Sequence, residues 1–200
     1  MTKLLFLPGA GGSADFWRPV ADGLLPDRPR HFFSWPGLSA QPPDPNVRGI
    51  DDLVRRVLAE MAAPADLVAQ SMGGLIALKV ALAVPDKVRR LVLTGTSGGL
   101  PVAELGGADW RQEYERDYPH AERWIVEAKE DLSAVLHKVT APVLLLWGDR
   151  DRISPVAVGE RLRDVLPDAT LRIIPDGAHD FPQTHADIVR PLIANHLRSG

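Results

Sequence analysis

The stretch Ala69-Gln70-Ser71-Met72-Gly73-Gly74 lies between two apolar runs of different length. The run Ala65-Asp66-Leu67-Val68 precedes it, and the longer run Leu75-Ile76-Ala77-Leu78-Lys79-Val80-Ala81-Leu82 follows it. This pattern predicts a buried strand, a sharp turn and a helix. Small residues two positions before and two positions after the serine permit such a turn, which lifts the Ser71 hydroxyl clear of the backbone. We therefore predict Ser71 as a nucleophile, with an ordinary helix N-cap serine as the alternative.

The composition excludes several classes of function. The chain has 200 residues, of which 45% are hydrophobic and 24% charged, and its net charge is -3. Because no basic excess is present, we expect no nucleic-acid partner and no anionic membrane partner. The absence of cysteine excludes thiolate catalysis and zinc–thiolate sites, and it is consistent with the cytoplasm, where we expect the protein. The opening apolar run is too short for a signal peptide or a membrane span.

Six short apolar runs alternate with helical patterns along most of the chain. Their continuous apolarity is typical of strands that are covered on both faces, as in a parallel sheet. The predicted strands are Leu4–Leu7, His31–Trp35, Leu67–Ala69, Arg90–Leu93, Val143–Trp147 and Leu171–Ile174. The predicted helices are Phe16–Leu25, Ile50–Ala62, Met72–Ala83, Val156–Val165 and Ala186–Leu197. We therefore expect one α/β domain over residues 1–200, with a mostly parallel six-stranded sheet and helices on both faces.

Residues 97–131 interrupt this alternation and are predicted to form a small cap insertion. Trp110, Tyr114 and Tyr118 recur at four-residue spacing there, so on a helix they share one face. That face either packs on the body of the protein or roofs a substrate pocket, and the two interpretations are compatible. We expect a pocket lined by these three aromatic residues together with Trp17 and Gln70.

A glycine-rich loop follows the first predicted strand. Its sequence is Pro8-Gly9-Ala10-Gly11-Gly12, and backbone N–H groups in such a loop can face a bound anion. A serine hydrolase needs two fixed N–H donors for the developing oxyanion. We expect these donors at Ala10 and Met72, and the alternative is a plain strand-to-helix turn.

Two further loops supply an acid and a base. Asp149 and Asp151 follow the fifth predicted strand, and His179 follows the sixth. The carboxyl ends of parallel strands meet at one edge of a sheet, so these groups and Ser71 are expected to lie close together. Either aspartate can orient the histidine, and Asp151 stands further from the sheet edge, towards the histidine loop. The other five histidines lie outside such loops and show no metal-ligand spacing, so we expect no metal site.

The chain resembles the α/β-hydrolase superfamily over nearly its whole length, and most closely its small esterases and lipase-like members. The matching stretches are Leu7–Ser13, the Trp35-Pro36-Gly37-Leu38-Ser39 turn, the elbow at Ser71, Trp147-Gly148-Asp149-Arg150-Asp151 and Gly177-Ala178-His179. The chain order serine, aspartate, histidine is also that of the superfamily. The resemblance implies Asp151 as the triad acid and a small-molecule ester as substrate. A short cap favours small to medium acyl groups, and the mechanism needs no cofactor.

Three departures accompany this resemblance. Ala69 replaces the usual first glycine of the elbow, and Pro8 replaces the histidine that often precedes the oxyanion-loop glycine. The chain also begins at what would be the third strand of a full-length member, so we expect a minimal version of the fold with a short helical cap.

Two other functions stay open at this point. The stretches Leu7–Trp17 and Trp35-Pro36-Gly37 also resemble the opening of thioesterases that accompany peptide and polyketide synthases. The second alternative is a hydrolase-like receptor that binds a small molecule without turnover, because fold does not determine function. The sequence does not indicate an oligomeric state.

Overall fold

Six parallel strands form one sheet in the computed structural model, which describes residues 1–198. Their order across the sheet is β2-β1-β3-β4-β5-β6, and each neighbouring pair is parallel. The strands are β1 (Lys3–Leu7), β2 (Arg30–Phe32), β3 (Ala65–Gln70), β4 (Val88–Thr94), β5 (Val143–Gly148) and β6 (Ala169–Ile174).

Helices of very different length connect these strands. They are α1 (Arg18–Ala21), α2 (Ile50–Ala59), α3 (Met72–Ala83), α4 (Arg111–Asp117), α5 (Trp124–Glu127), α6 (Val156–Val165), α7 (Phe181–Thr184) and α8 (Ala186–Arg198). Short 3-10 helices occur at Ala14–Trp17, Pro85–Lys87, Val102–Leu105 and Leu136–Lys138. The predicted spans of α3 and α6 are confirmed to the residue.

The sheet separates two apolar layers, so helices cover both of its faces. Alternate side chains of β1 point to opposite layers, with Leu5 and Leu7 on one face and Leu4 and Phe6 on the other. Helices α2, α3 and α6 supply buried residues to the first layer, and α1 and α8 to the second. This two-sided cover confirms the α/β fold that the continuous apolar runs predict.

Besides α2, which ends at Ala59 rather than Ala62, two elements are shorter than predicted. The aromatic run His31–Trp35 pairs as a strand only over β2, because Trp35 leaves the sheet and its indole N–H donates to the Pro8 carbonyl at 2.7 Å. The predicted helix Phe16–Leu25 is a 3-10 turn followed by the four residues of α1, which end before Gly23 at a φ of +76°. The tertiary contact of Trp35 therefore shortens the strand, and the turn at Gly23 shortens the helix, although the apolar pattern favours a longer element in both places.

The region predicted as a cap holds short helices rather than one continuous helix. Between residues 97 and 131 lie α4, α5 and one 3-10 turn. Backbone bonds connect this region to the body, from Glu122 N–H to the Gly37 carbonyl at 2.7 Å and from Leu132 N–H to the Gly99 carbonyl at 2.8 Å. Among residues 1–198 no helix has the length and apolarity needed to cross a membrane.

Candidate active site

The turn between β3 and α3 places Ser71 in a strained backbone conformation. Its φ is +52° and its ψ is -121°, a region that residues with a side chain rarely adopt. A Cβ atom on Gly73 would lie 2.5 Å from the Leu7 carbonyl oxygen, so only glycine permits this close approach. The Ser71 N–H donates to the Thr94 carbonyl at 3.0 Å, and the Thr96 hydroxyl donates to the Ser71 carbonyl at 2.6 Å. Thr94 at the end of β4 and Thr96 just after it therefore fix the backbone on both sides of the Ser71 side chain.

Three side chains from the same edge of the sheet form a continuous hydrogen-bonded array. His179 Nε2 lies 3.0 Å from Ser71 Oγ, and His179 Nδ1 lies 2.8 Å from Asp151 Oδ2. Because a carboxylate accepts, Nδ1 carries the proton in this pair, which leaves Nε2 free to accept the proton of the Ser71 hydroxyl. The structure thus brings the three residues together in the arrangement that a serine nucleophile needs.

The second oxygen of Asp151 is held by backbone donors. The N–H groups of Ile153 and Ser154 each donate to Asp151 Oδ1 at 2.9 Å, and the carboxylate is fully buried. Gly95, at a φ of +49°, lies against the pair, where a Cβ atom would be 2.9 Å from Asp151 Oδ2. Asp149, the alternative acid, is exposed on the surface. The geometry favours Asp151 as the partner of the histidine.

The loop that carries His179 is fixed from two sides. The buried Gln70 amide donates to the His179 carbonyl at 3.2 Å. The Arg150 N–H donates to the Gly177 carbonyl at 2.9 Å, and Gly148 and Gly177 approach so closely that neither tolerates a side chain. Gln70 therefore positions the histidine loop from behind, and its contact with a substrate stays a prediction.

Within residues 1–198, the Ala10 N–H of the glycine-rich loop after β1 has no backbone acceptor. The Gly9 carbonyl accepts from the Gly12 N–H at 3.0 Å, which fixes the peptide that also contains the Ala10 N–H. Because the two groups of a trans peptide point in opposite directions, the Ala10 N–H points away from this turn. Met72 is the first residue of α3, so its N–H has no acceptor within the helix. That these two N–H groups face an anion beside Ser71 stays a prediction.

The expected pocket residues have different environments. Trp17 has no exposed surface; it lies in the layer of α1 and α8, and its indole N–H donates to the Leu7 carbonyl at 3.0 Å. The expectation that it lines a pocket is therefore wrong. Trp110, Tyr114 and Tyr118 contact one another along one face as their spacing predicts, the first pair edge to face and the second tilted, with neighbouring ring centroids 5.5 and 5.0 Å apart. They lie on and beside α4, and Tyr114 is buried whereas Tyr118 is partly exposed.

Sequence reasoning missed the polar residues that support the array. Thr96 is fully buried, and its carbonyl accepts from the Ser154 hydroxyl at 3.0 Å. Thr96 thereby connects the elbow at Ser71 with the loop that cages Asp151. The signal that could have found Thr96 is its position, since Gly95 and Thr96 directly follow β4, at the same sheet edge as the loops that carry Ser71, Asp151 and His179.

The clefts and acidic or histidine side chains elsewhere in the described residues do not form a second candidate site. Two clefts border α2, one of them extending to Trp124, and neither includes Ser71 or His179. Across residues 1–198, His, Asp and Glu side chains do not gather in groups of three or more that could hold a metal ion.

Comparisons with known proteins identify relatives across nearly the whole chain. The chain is 28% identical over 249 residues to a pimeloyl-[acyl-carrier protein] methyl ester esterase of Neisseria meningitidis, covering 99% of this chain and 93% of the relative. It is 26% identical over 241 residues to a poly(3-hydroxyalkanoate) depolymerase of Ectopseudomonas oleovorans, covering 99% and 85%.

Solved structures share the fold at lower identity. A hydrolase from Pseudomonas aeruginosa has a TM-score of 0.82 at 20% identity, covering 99% of this chain and 90% of that one. A thermophilic esterase from Thermogutta terrifontis has a TM-score of 0.79 at 18% identity, with the same two coverages of 99% and 90%. Residues 4–192 match the alpha/beta hydrolase family, and because this match spans most of the sequence, the chain belongs to that family.

Proposed function

We propose that the protein hydrolyses carboxylic esters of small to medium acyl groups through an acyl-enzyme on Ser71. The observation that carries this proposal is the continuous array from Asp151 Oδ2 through His179 to Ser71 Oγ, with distances of 2.8 and 3.0 Å. A serine hydroxyl is a poor nucleophile until a positioned base removes its proton, and this array supplies the base and its orienting acceptor.

The reaction proceeds in two halves. Ser71 Oγ attacks the acyl carbon while His179 Nε2 takes its proton, and the ester carbon–oxygen bond then breaks as the histidine returns that proton to the leaving alcohol. Water next attacks the acyl-enzyme, with His179 again taking a proton and returning it to Ser71 Oγ as the acid product leaves. Asp151 keeps its charge throughout and stabilises the imidazolium, because two backbone N–H groups and the histidine satisfy its oxygens.

The tetrahedral intermediate carries a negative charge on the former carbonyl oxygen. The N–H groups of Ala10 and Met72 are the proposed donors to this oxygen, since neither has a backbone acceptor in the described structure. Met72 also begins α3, whose N-terminus favours negative charge. Together they stabilise charge that develops only in the transition state, which is where stabilisation accelerates the reaction.

The substrate class rests on the relatives and the cap. The relative from Neisseria meningitidis is by name a methyl ester esterase, which favours oxygen esters over thioesters for this chain. The cap aromatics Trp110 and Tyr118 are the proposed walls of the acyl site, and because the cap consists of short helices, we expect small or medium acyl groups as substrates.

A panel of p-nitrophenyl esters of graded acyl length, each matched by a thioester, tests this function. We expect turnover of the shorter oxygen esters that Ser71→Ala abolishes, whereas Ser133→Ala, the same change at an exposed position, leaves turnover unchanged. Thioester turnover far above that of the matched oxygen esters would instead identify a thioesterase. Tight binding of panel members with no turnover would identify a receptor.

A further inference from the structure

One cap side chain reaches the loop that carries a proposed oxyanion donor. The Tyr114 hydroxyl donates to the Ala10 carbonyl at 2.9 Å and accepts from the Ser39 N–H at 2.8 Å. These partners are 104 and 75 residues away along the chain. The hydroxyl therefore joins three separate segments, namely α4, the oxyanion loop and the turn that follows Trp35.

These bonds fix the oxyanion loop from the side opposite to the Gly9–Gly12 turn. The Gly12 N–H holds the peptide before Ala10 through the Gly9 carbonyl, and Tyr114 holds the peptide after it through the Ala10 carbonyl. With both flanking peptides fixed, the rotations about the Ala10 Cα are fixed as well, and so is the direction of the Ala10 N–H. A loop with glycines at positions 9, 11 and 12 has little stiffness of its own, because glycine adopts many backbone conformations.

We infer that Tyr114 is a positioning residue for the oxyanion hole, coupling the seating of the cap to the aim of the Ala10 N–H. This inference rests on the proposed function and deepens it. Tyr114 does not touch the reacting atoms in this account; it acts through the Ala10 backbone. The cap then contributes to the rate of the chemical step as well as to the shape of the acyl site.

The surroundings of Tyr114 suit this role. The side chain is buried, and its ring lies between those of Trp110 and Tyr118, which restrict its orientation. Burial raises the pKa of Tyr114, with a smaller contribution from Tyr118, although the hydrogen bond from Ser39 opposes the shift. The hydroxyl therefore keeps its proton, and remains a donor to Ala10, at neutral pH.

The coupling makes a prediction that differs from that of a pocket wall. A residue that contacts the acyl chain changes the relative rates of short and long esters. A residue that aims an oxyanion donor changes the transition-state energy of every ester by the same amount, since the oxyanion is common to all of them.

The test is Tyr114→Phe, which removes the hydroxyl and keeps the ring. We expect kcat to fall on the order of 10-fold for every ester in the panel, with KM unchanged, because misaligned catalytic groups cost rate rather than binding. Affinity for a trifluoromethyl ketone, whose adduct with serine carries an oxyanion, should fall by the same factor. The pH dependence of kcat/KM between pH 5 and 8 should not move, because His179 and Asp151 are untouched.

Glu130→Gln is the matched control. This change removes the ion pair between Glu130 Oε2 and Lys79 Nζ, which are 2.7 Å apart at the other end of the cap region. It does not alter any contact of the oxyanion loop. We expect unchanged kcat and unchanged ketone affinity in this variant. A wild-type kcat in Tyr114→Phe, equal losses in both variants, or a loss that depends on acyl length would overturn the inference.

A second measurement keeps the inference testable if Tyr114→Phe does not fold. The chain has two tyrosines, so a Tyr118→Phe background leaves Tyr114 as the single one, and biosynthetic incorporation of 3,5-difluorotyrosine then lowers the phenol pKa at this site alone. A phenolate cannot donate to the Ala10 carbonyl. We therefore expect the kcat of the fluorinated Tyr118→Phe protein to decline at a lower alkaline pH than the kcat of the same variant without fluorine. An unshifted alkaline limb would contradict the coupling.

The two proposals fail in different ways. If wild-type protein shows no ester turnover, or if Ser71→Ala remains active, the proposed function is wrong. If wild-type turnover depends on Ser71 but Tyr114→Phe turns over every ester normally, only the role of Tyr114 is wrong.

Discussion

The two aspartates of the loop after β5 differ in every respect that matters for a triad acid. Asp151 is buried, bonded to His179 and caged by two N–H groups, whereas Asp149 is exposed. Without its acceptor, His179 loses both its tautomer and its orientation. We therefore expect Asp151→Asn to lower kcat by about 10⁴-fold with little change in KM.

Asp149→Asn is the matched control, since it makes the same chemical change two residues away on the surface. We expect its kcat to stay within a few-fold of wild type, as for most exposed substitutions. Measuring kcat for both variants at one pH decides between them. An inactive Asp149→Asn beside a nearly normal Asp151→Asn would reverse the assignment.

At the residue scale, the sequence predicts the reacting groups better than their supports. Ser71 and His179 each follow a recognisable apolar run, so their place at the sheet edge follows from chain order alone. Thr96 and Tyr114 act through backbone carbonyls of residues 25 and 104 positions away. Such contacts depend on how loops approach one another in space, and no local pattern encodes them.

At the element scale, the aromatic side chains around α4 separate packing from substrate contact. Tyr118 is partly exposed. Trp110 packs against the core, and the Tyr114 ring lies between the rings of Trp110 and Tyr118. If they form walls of the acyl site, Trp110→Ala and Tyr118→Ala should raise kcat/KM for long acyl chains relative to short ones. A change on the order of 10-fold in that ratio corresponds to the worth of one or two methylenes in an apolar pocket. Equal losses for all chain lengths would mean that the two rings only pack.

We expect a histidine of helix α8 to make the stability of the protein depend on pH. Burial, together with the nearby Arg90, lowers the pKa of His196, while backbone hydrogen bonds at Leu91 and Pro142 and the charge of Asp66 oppose the shift. Within residues 1–198, the buried His196 Nε2 has no hydrogen-bond partner. In the unfolded chain His196 has the ordinary histidine pKa of about 6.5, so just below that pH it binds a proton that the folded protein does not bind. Stability is complete above that pH and declines as the pH falls through the window below it.

His196→Gln removes this titration while keeping a polar side chain of similar size. We expect the free energy of unfolding in urea to fall less between pH 7.5 and 5.5 in this variant than in wild type. Other groups titrate in the same range, but they are common to both proteins and cancel in the comparison. An identical fall in both proteins would show that His196 does not contribute.

Elements also differ in how well local patterns predict them. Helix α3 and helix α6 are long apolar or amphipathic runs with the predicted bounds, because intrinsic pattern and tertiary packing agree there. The cap offered aromatic spacing, and its helices are short, with seven residues in α4 and four in α5. The spacing correctly predicted a shared face, even though the helix covers only the seven residues of α4.

At the scale of the whole molecule, the α/β class follows from the alternation of runs, whereas the order of the strands does not. Strand β1 lies between β2 and β3, and the chain reverses its direction of travel across the sheet at that point. Ser71 follows β3 beside this reversal, where open parallel sheets form a crevice at their carboxyl ends. The oxyanion loop after β1 and the elbow after β3 are neighbours for this reason.

The central claim is that Ser71 is the nucleophile and that His179 activates it. The most direct measurement is mass spectrometry of the protein after treatment with a fluorophosphonate, with ester turnover followed in parallel. We predict one adduct, on the peptide that contains Ser71, loss of turnover in proportion to labelling, and labelling at least ~10³-fold slower in His179→Gln. An adduct on another residue, or full turnover by completely labelled protein, would contradict the account.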